Sequence, residues 1–214
     1  MLKLLRNHFV DDGLMLPDGK TIVDKKLLEN LIEAQKSELK LTFKVTYKHL
    51  YARGKQRQRV RPAFELFSTK VANAIQVLFP GKKSEAEFFK KINDFSDLMN
   101  VHTAEPNANY CKSAYGMDLV EQERFLFEFY HYFSKLRFGN RKEGSYVPFQ
   151  KAIIVSIRSL IGLYKDLLQD QVAKYVITAR LNQDYIEGSF GLVKALENSI
   201  LIRLRWTWCI GWKG

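Results

Sequence analysis

Cysteine is scarce: Cys111 and Cys209 are the two in 214 residues. They form no metal-ligand spacing, and two thiols without a framework fit a reducing compartment. His8, His49, His102 and His131 share no ligand spacing either. No apolar run reaches about 18 residues, so no membrane span is expected. The first ten residues, with Asn7 and His8 inside an amphipathic helical pattern, do not form the apolar segment of a signal peptide. There is no Walker A glycine–lysine loop and no Asn-Lys-x-Asp guanine reader. Internal repeats and low-complexity tracts are also missing. These absences exclude common nucleotide and metal chemistries but leave an ordinary globular chain.

What remains is 46% hydrophobic and 27% charged, long enough for one or two domains with real cores. A formal net charge of +11 favours a polyanionic partner, though a solvated basic surface accounts for it equally well. Helical spacing dominates. Leu2 to Val10 reads as an amphipathic helix, and Leu14 to Val23 as a hairpin around Pro17-Asp18-Gly19. Asp24 caps a helix that buries Leu27, Leu28, Leu31 and Ile32. Thr46 to Tyr51 is a short helix. Pro62 opens a longer one with Phe64, Phe67, Val71, Ile75 and Leu78 inward, stopped at Pro80-Gly81. Ser84-x-x-Glu87 is a capping box for a helix running past Asn100. Residues 105–117 read as loop, and Asp118 begins an aromatic helix carrying Phe125, Phe129 and Phe133 into the core. Pro148 opens a buried helix with Ile153, Ile157, Leu160, Tyr164 and Leu167. Gln171 to Arg180 reads as helical. The fold class is mainly α.

Three segments carry chemistry. Asp184 is a good N-cap, and Asp184-x-x-Glu187 puts two carboxylates in register on one helix face. Asp97 and Asn100 stand three residues apart on a helix, and a carboxylate can accept from both the ring N–H and the amino group of guanine. Arg53, Lys55, Arg57, Arg59 and Arg61 alternate through a run suited to phosphates. The tail interleaves Arg203 and Arg205 with Trp206 and Trp208, a pattern seen in single-strand binders, although a divergent terminal segment explains it better.

Leu181-Asn182-Gln183-Asp184, followed by Glu187 and Phe190, resembles the segment bearing the last catalytic acid of P-element-type DNA transposases, including relatives with a THAP zinc finger. Leu2 to Asn7 resembles the helix after that family's second catalytic Asp. Lys44-Val45-Thr46-Tyr47-Lys48-His49-Leu50, Arg59-Val60-Arg61-Pro62-Ala63 with Phe67-Ser68, and Asp97-Leu98-Met99-Asn100 resemble elements of its GTP-binding insertion domain. The set covers about residues 2–193 in the family's order.

The resemblance implies a helical GTP-binding insertion domain over 14–165, flanked by the ends of a truncated RNase H-like (α/β) catalytic domain at 1–13 and 166–194, with a divergent tail at 195–214. Those flanking ends are expected to lack much of their packing surface. It implies Lys44, Arg59, Val60, Ser68, Asp97, Asn100 and Asp184 as nucleotide contacts. Of these, Lys44 and Arg59 meet phosphates, Asp97 and Asn100 the base or ribose, and Asp184 closes the site. Glu187 is implied as catalytic acid and metal ligand.

GTP and Mg²⁺ are the implied cofactors, transposon-end DNA and a further copy of the chain the implied partners, and the nucleus the implied compartment. Intact relatives perform cut-and-paste DNA transposition. Two departures stand out within the insertion: Arg59 where a Lys is common, and Ser96 where an aromatic often precedes the Asp. One acid of three is present, because the chain begins just past the second Asp, so no Mg²⁺-dependent DNA cleavage is expected from it alone. A domesticated, non-catalytic nucleotide- or DNA-binding protein and a decaying transposon product are the alternatives.

Overall fold

The structure, a computed structural model, describes residues 1–35, 41–42, 44–142, 144–170 and 173–182. Among them are eight α-helices and three two-residue strands. The mainly α expectation holds.

Helix α1 (Leu2–Asp12) enters the hairpin through Gly13, whose φ of 65° is a left-handed value that favours glycine. Strands β1 (Leu14–Met15) and β2 (Ile22–Val23) pair antiparallel, Leu14 opposite Val23. Asp18 fixes the turn by accepting from the backbone N–H groups of Lys20 (2.9 Å) and Thr21 (2.8 Å). A third strand, β3 (Arg137–Phe138), pairs with the other edge of β1. Its two residues are too short to show an alternating pattern in sequence.

Helix α2 (Lys25–Ala34) follows Asp24 as expected and buries Leu27, Leu28 and Leu31. The short α3 (Tyr47–Leu50) is closed by a capping box between Thr46 and His49. The helix expected from Pro62 to Leu78 is two: α4 (Arg61–Leu66) and α5 (Thr69–Leu78). The chain breaks at Phe67-Ser68, where the Ser68 hydroxyl donates to the Glu65 carbonyl (3.0 Å) and competes with the helical ladder. Phe67 still reaches the core, but Phe64 is turned to a cleft.

Helix α6 (Lys83–Leu98) starts one residue before Ser84 and ends before Asn100. Its N-cap is Lys82, so the capping box read at Ser84 does not form. Instead Lys82 pairs with Glu85 at 2.7 Å. Helices α7 (Leu119–Ser134) and α8 (Pro148–Gln169) follow the sequence reading.

Residues 173–182 are not the expected helix. Val176 exchanges two backbone hydrogen bonds with Tyr115, and only Thr178–Leu181 coil, as a 3₁₀ turn. Thr178 explains the detour. Its hydroxyl donates to Leu98 O (2.6 Å) and accepts from Val101 N (3.0 Å), tying the segment to the end of α6.

The core is continuous across these elements. Phe9 of α1 meets Phe67, Phe88 and Phe89 at centroid distances of 5.8–6.3 Å. Leu5 and Phe9 are fully buried, so α1 is packed into the helical body rather than left with an open face. Phe95 of α6 stacks on Phe129 of α7 at 4.4 Å, joining the two halves. Aromatic pairs of this geometry add roughly 0.5–1.5 kcal/mol each beyond their buried area.

Candidate functional site

Helices α4, α5 and α6 and the segment before α3 surround a cleft of about 700 Å³. That lies within the roughly 300–1,000 Å³ range of small-molecule sites. Its lining includes Lys44, Val60, Arg61, Phe64, Ser68, Thr69, Lys70, Asn93, Asp97 and Lys112. A smaller cleft of about 190 Å³ adjoins it and shares Phe64, Asp97 and Lys112. Ser96, Asn100, His102 and Thr103 line its far part.

The break at Ser68 builds one wall. It ends α4 and starts α5, so the first turn of α5, Thr69 and Lys70, faces the cleft rather than the middle of a longer helix. A helix N-terminus carries partial positive charge and suits anionic groups. Lys44, Lys70 and Arg61 add full charges to the same lining, and the Arg61 side chain is 84% exposed.

Asp97, on α6, lines the cleft beside the start of α5. Asn93, one turn earlier on α6, donates to its Oδ2 at 3.0 Å while accepting from the Thr69 backbone N–H at 3.2 Å. Asn93 thus links the start of α5 to the carboxylate. Lys112 Nζ lies 4.0 Å from the same oxygen. Burial raises the Asp97 carboxyl above its ordinary value and Asp94 adds to this, whereas Lys112 and the Asn93 hydrogen bond pull it down. A half-buried carboxylate with only partial compensation keeps acceptor capacity directed at the cleft.

His49 belongs to the frame. Its Nδ1 accepts from Thr46 N (3.1 Å), which leaves Nε2 as the donor to Glu65 (2.9 Å). Arg61 reaches the other oxygen of Glu65 at 3.0 Å. The His49 hydrogen bond, chiefly, holds the Glu65 carboxyl below its ordinary range, with Arg61 helping and burial opposing.

Of the residues picked out in sequence, Lys44, Val60, Ser68 and Asp97 meet in the larger cleft, and Asn100 lines the smaller one. Arg59 is exposed just outside this lining, and Arg61 is the arginine that faces it. Asp184 and Glu187 lie outside the described residues. So does the 195–214 tail. Asn182, at the start of that motif, donates to Asn100 Oδ1 at 3.0 Å, so the segment leading to Asp184 is anchored beside the smaller cleft.

Sequence reasoning missed Phe64, Thr69, Lys70, Asn93 and Lys112. Only Asn93 carried a usable signal, its i,i+4 spacing from Asp97.

The basic run is not uniformly available. Arg57 is engaged in a surface pair with Asp11 (Nη1–Oδ1 3.0 Å), and its carbonyl accepts from the buried Arg6 at 2.8 Å. Arg53, Lys55 and Arg59 are exposed. Among the described residues no cluster of three His, Cys, Asp or Glu could hold a metal ion, and no helix is long and apolar enough to cross a membrane.

Comparison with known proteins agrees with this geometry. The chain is 35% identical over 201 residues to the transposable element P transposase of Drosophila melanogaster, covering 91% of the chain and 26% of that protein. It superposes on a chain of the Drosophila P element transposase strand transfer complex with a TM-score of 0.79 at 34% identity, covering 89% of this chain and 43% of that one. It therefore spans about a quarter of the relative's length and under half of the solved chain. Residues 1–113, which include α1 and all the cleft-lining residues named above, match the TNP-like GTP-binding insertion domain, and the chain belongs to that family.

Proposed function

We propose that the chain is a portion of a P-element-type DNA transposase and that its cleft holds GTP, with the triphosphate toward Lys44, Lys70, Arg61 and the start of α5 and the guanine toward Asp97. The observation that carries this reading is the lining of the cleft: Lys44, Lys70, Arg61 and the first turn of α5 share one nucleotide-sized space with the half-buried carboxylate of Asp97. A triphosphate brought against Asp97 would meet a like charge in a partly desolvated setting, whereas guanine presents two N–H donors there.

Arg59 remains a phosphate contact in this reading, reaching in from the rim. Val60 supplies apolar or backbone contact and Ser68 a hydroxyl, while Asn100 addresses the base or ribose. Asp184 is proposed to close the site.

The proposed division of the chain is an insertion domain over 14–165 between RNase H-like ends at 1–13 and 166–194. Transposon-end DNA is the proposed nucleic-acid partner, met by the exposed Arg53, Lys55 and Arg59 through salt-dependent phosphate contacts. Self-association and a nuclear location follow from the same reading. Glu187 is proposed as the last catalytic acid and as a ligand for Mg²⁺.

The test of the nucleotide reading is Asp97→Ala, with GTP and ATP titrated in parallel. Affinity for GTP should fall about tenfold or more with little change for ATP. Equal losses would mean that Asp97 does not face the base.

A further inference from the structure

Three side chains are common to the larger and the smaller cleft: Phe64, Asp97 and Lys112. They come from three elements, namely α4, α6 and the 3₁₀ turn Tyr110–Lys112. Phe64 is 39% exposed and lines both clefts, whereas Ala63, Leu66 and Phe67 beside it are buried. An aromatic ring that lines a nucleotide-sized cleft offers a face for a purine. Ser96, beside Asp97, offers none, because it is buried and its hydroxyl donates to Ile92 O at 2.7 Å.

Lys112 is held by its neighbours. Asn109 Oδ1 accepts from Cys111 N at 3.0 Å, and the buried Cys111 pins the turn against α6. The Lys112 ammonium stays 54% exposed and is 4.0 Å from Asp97 Oδ2.

We propose that Phe64 and Lys112 complete the recognition of guanine with Asp97: the Phe64 ring stacks on the purine face, Asp97 accepts from N1–H and the 2-amino group, and Lys112 donates to O6. The chemistry is specific to that edge. Guanine displays two donors and then an acceptor along its Watson–Crick side, and a carboxylate flanked by an ammonium is the complement. Adenine carries a donor where guanine has O6, so it meets Lys112 with the wrong polarity. Lys112 also screens Asp97 from the phosphates in the neighbouring part of the cleft. The inference rests on the GTP reading of the cleft and adds two specificity residues to it.

The experiment uses the full chain and isothermal titration with GTP, ITP and ATP, and circular dichroism to verify folding. Phe64→Ala should weaken GTP and ITP about tenfold or more, and Phe64→Tyr should restore both. Lys112→Met should weaken GTP and ITP by a common factor of roughly ten, because both carry O6, and should not weaken ATP, which loses a mismatched donor. Should Phe64→Ala bind GTP within twofold of the wild type, the stacking role is overturned. Should Lys112→Met lose GTP and ATP alike, the ammonium meets phosphate and not O6. Two controls separate this inference from the reading beneath it. If Lys44→Ala and Asp97→Ala weaken GTP while the Phe64 and Lys112 variants behave as wild type, only the present inference fails. If the wild type binds no guanine nucleotide, or Asp97→Ala binds GTP normally, the nucleotide reading fails with it.

Discussion

The α7–α8 side and the α4–α6 side of the molecule both bury polar side chains within helices, and they leave them in different states. On the α7–α8 side, Gln122 is fully buried and every group on its amide is committed. It accepts from Gly116 N at 2.8 Å and donates toward the carbonyls of Tyr110, Ser113 and Ala114. Gln150, also buried, donates to Phe133 O (2.9 Å) and Leu136 O (3.0 Å). Both amides bond the backbone at the two ends of α7 and hold those ends in place. On the α4–α6 side, Asn93 and Asp97 start an equivalent link to α5 but do not close it. Asp97 keeps acceptor capacity beside the cleft, with its side chain 30% exposed. Saturated buried polar groups stabilise a fold, and unsaturated ones at a cavity wall mark where a ligand is to complete the set.

Gln122→Leu gives the sharpest contrast. It removes the acceptor of the Gly116 N–H and the donor shared by three carbonyls, and should cost about 3 kcal/mol in urea unfolding, while GTP affinity of the folded protein is retained. A loss of GTP binding without a loss of stability would break the distinction.

A smaller effect is expected at Glu65, which joins His49 to Arg61 in the cleft lining. Its carboxyl is depressed, so the stability it adds is complete above the ordinary glutamate value and is lost as pH falls through the lowered one. Glu65→Gln should therefore cost about 1 kcal/mol at neutral pH and flatten the acid limb of the stability–pH curve. An unchanged acid limb would remove the His49 link from the account.

The smallest stability effect belongs to Asp97. Its carboxyl is raised, so it favours folding below the ordinary aspartate value, and that contribution disappears as pH rises through the raised one. Asp97→Asn should consequently leave neutral-pH stability within about 0.5 kcal/mol of the wild type, although it removes a charge from a helix. A large destabilisation would place Asp97 with Gln122, as a structural group.

The α7–α8 side was legible in the sequence because its apolar residues keep helical spacing without interruption and Asp118 and Pro148 mark the starts. The hairpin was legible for a similar reason, since Pro17-Asp18-Gly19 dictates its turn. The cleft side was harder to read. Phe64, Phe67, Val71 and Ile75 satisfy helical spacing straight across the break at Ser68, so periodicity alone joins two helices into one. The detour at Thr178 depends on contacts 77 and 80 residues apart in the chain, which no local pattern encodes. Lys44, Ser68 and Asp97 were found through a family resemblance, and the structure brings them to one cleft. Phe64 and Lys112 needed the tertiary fold.

The central claim is that Asp97 faces the base of a guanine nucleotide. Its most direct test is calorimetric titration of wild type and Asp97→Asn with GTP and XTP. Xanthine replaces the 2-amino donor of guanine with a carbonyl acceptor, and an asparagine amide can donate where aspartate cannot. The account predicts that the wild type prefers GTP over XTP by about tenfold or more and that Asp97→Asn reverses the order. An unchanged preference for GTP in Asp97→Asn would contradict it.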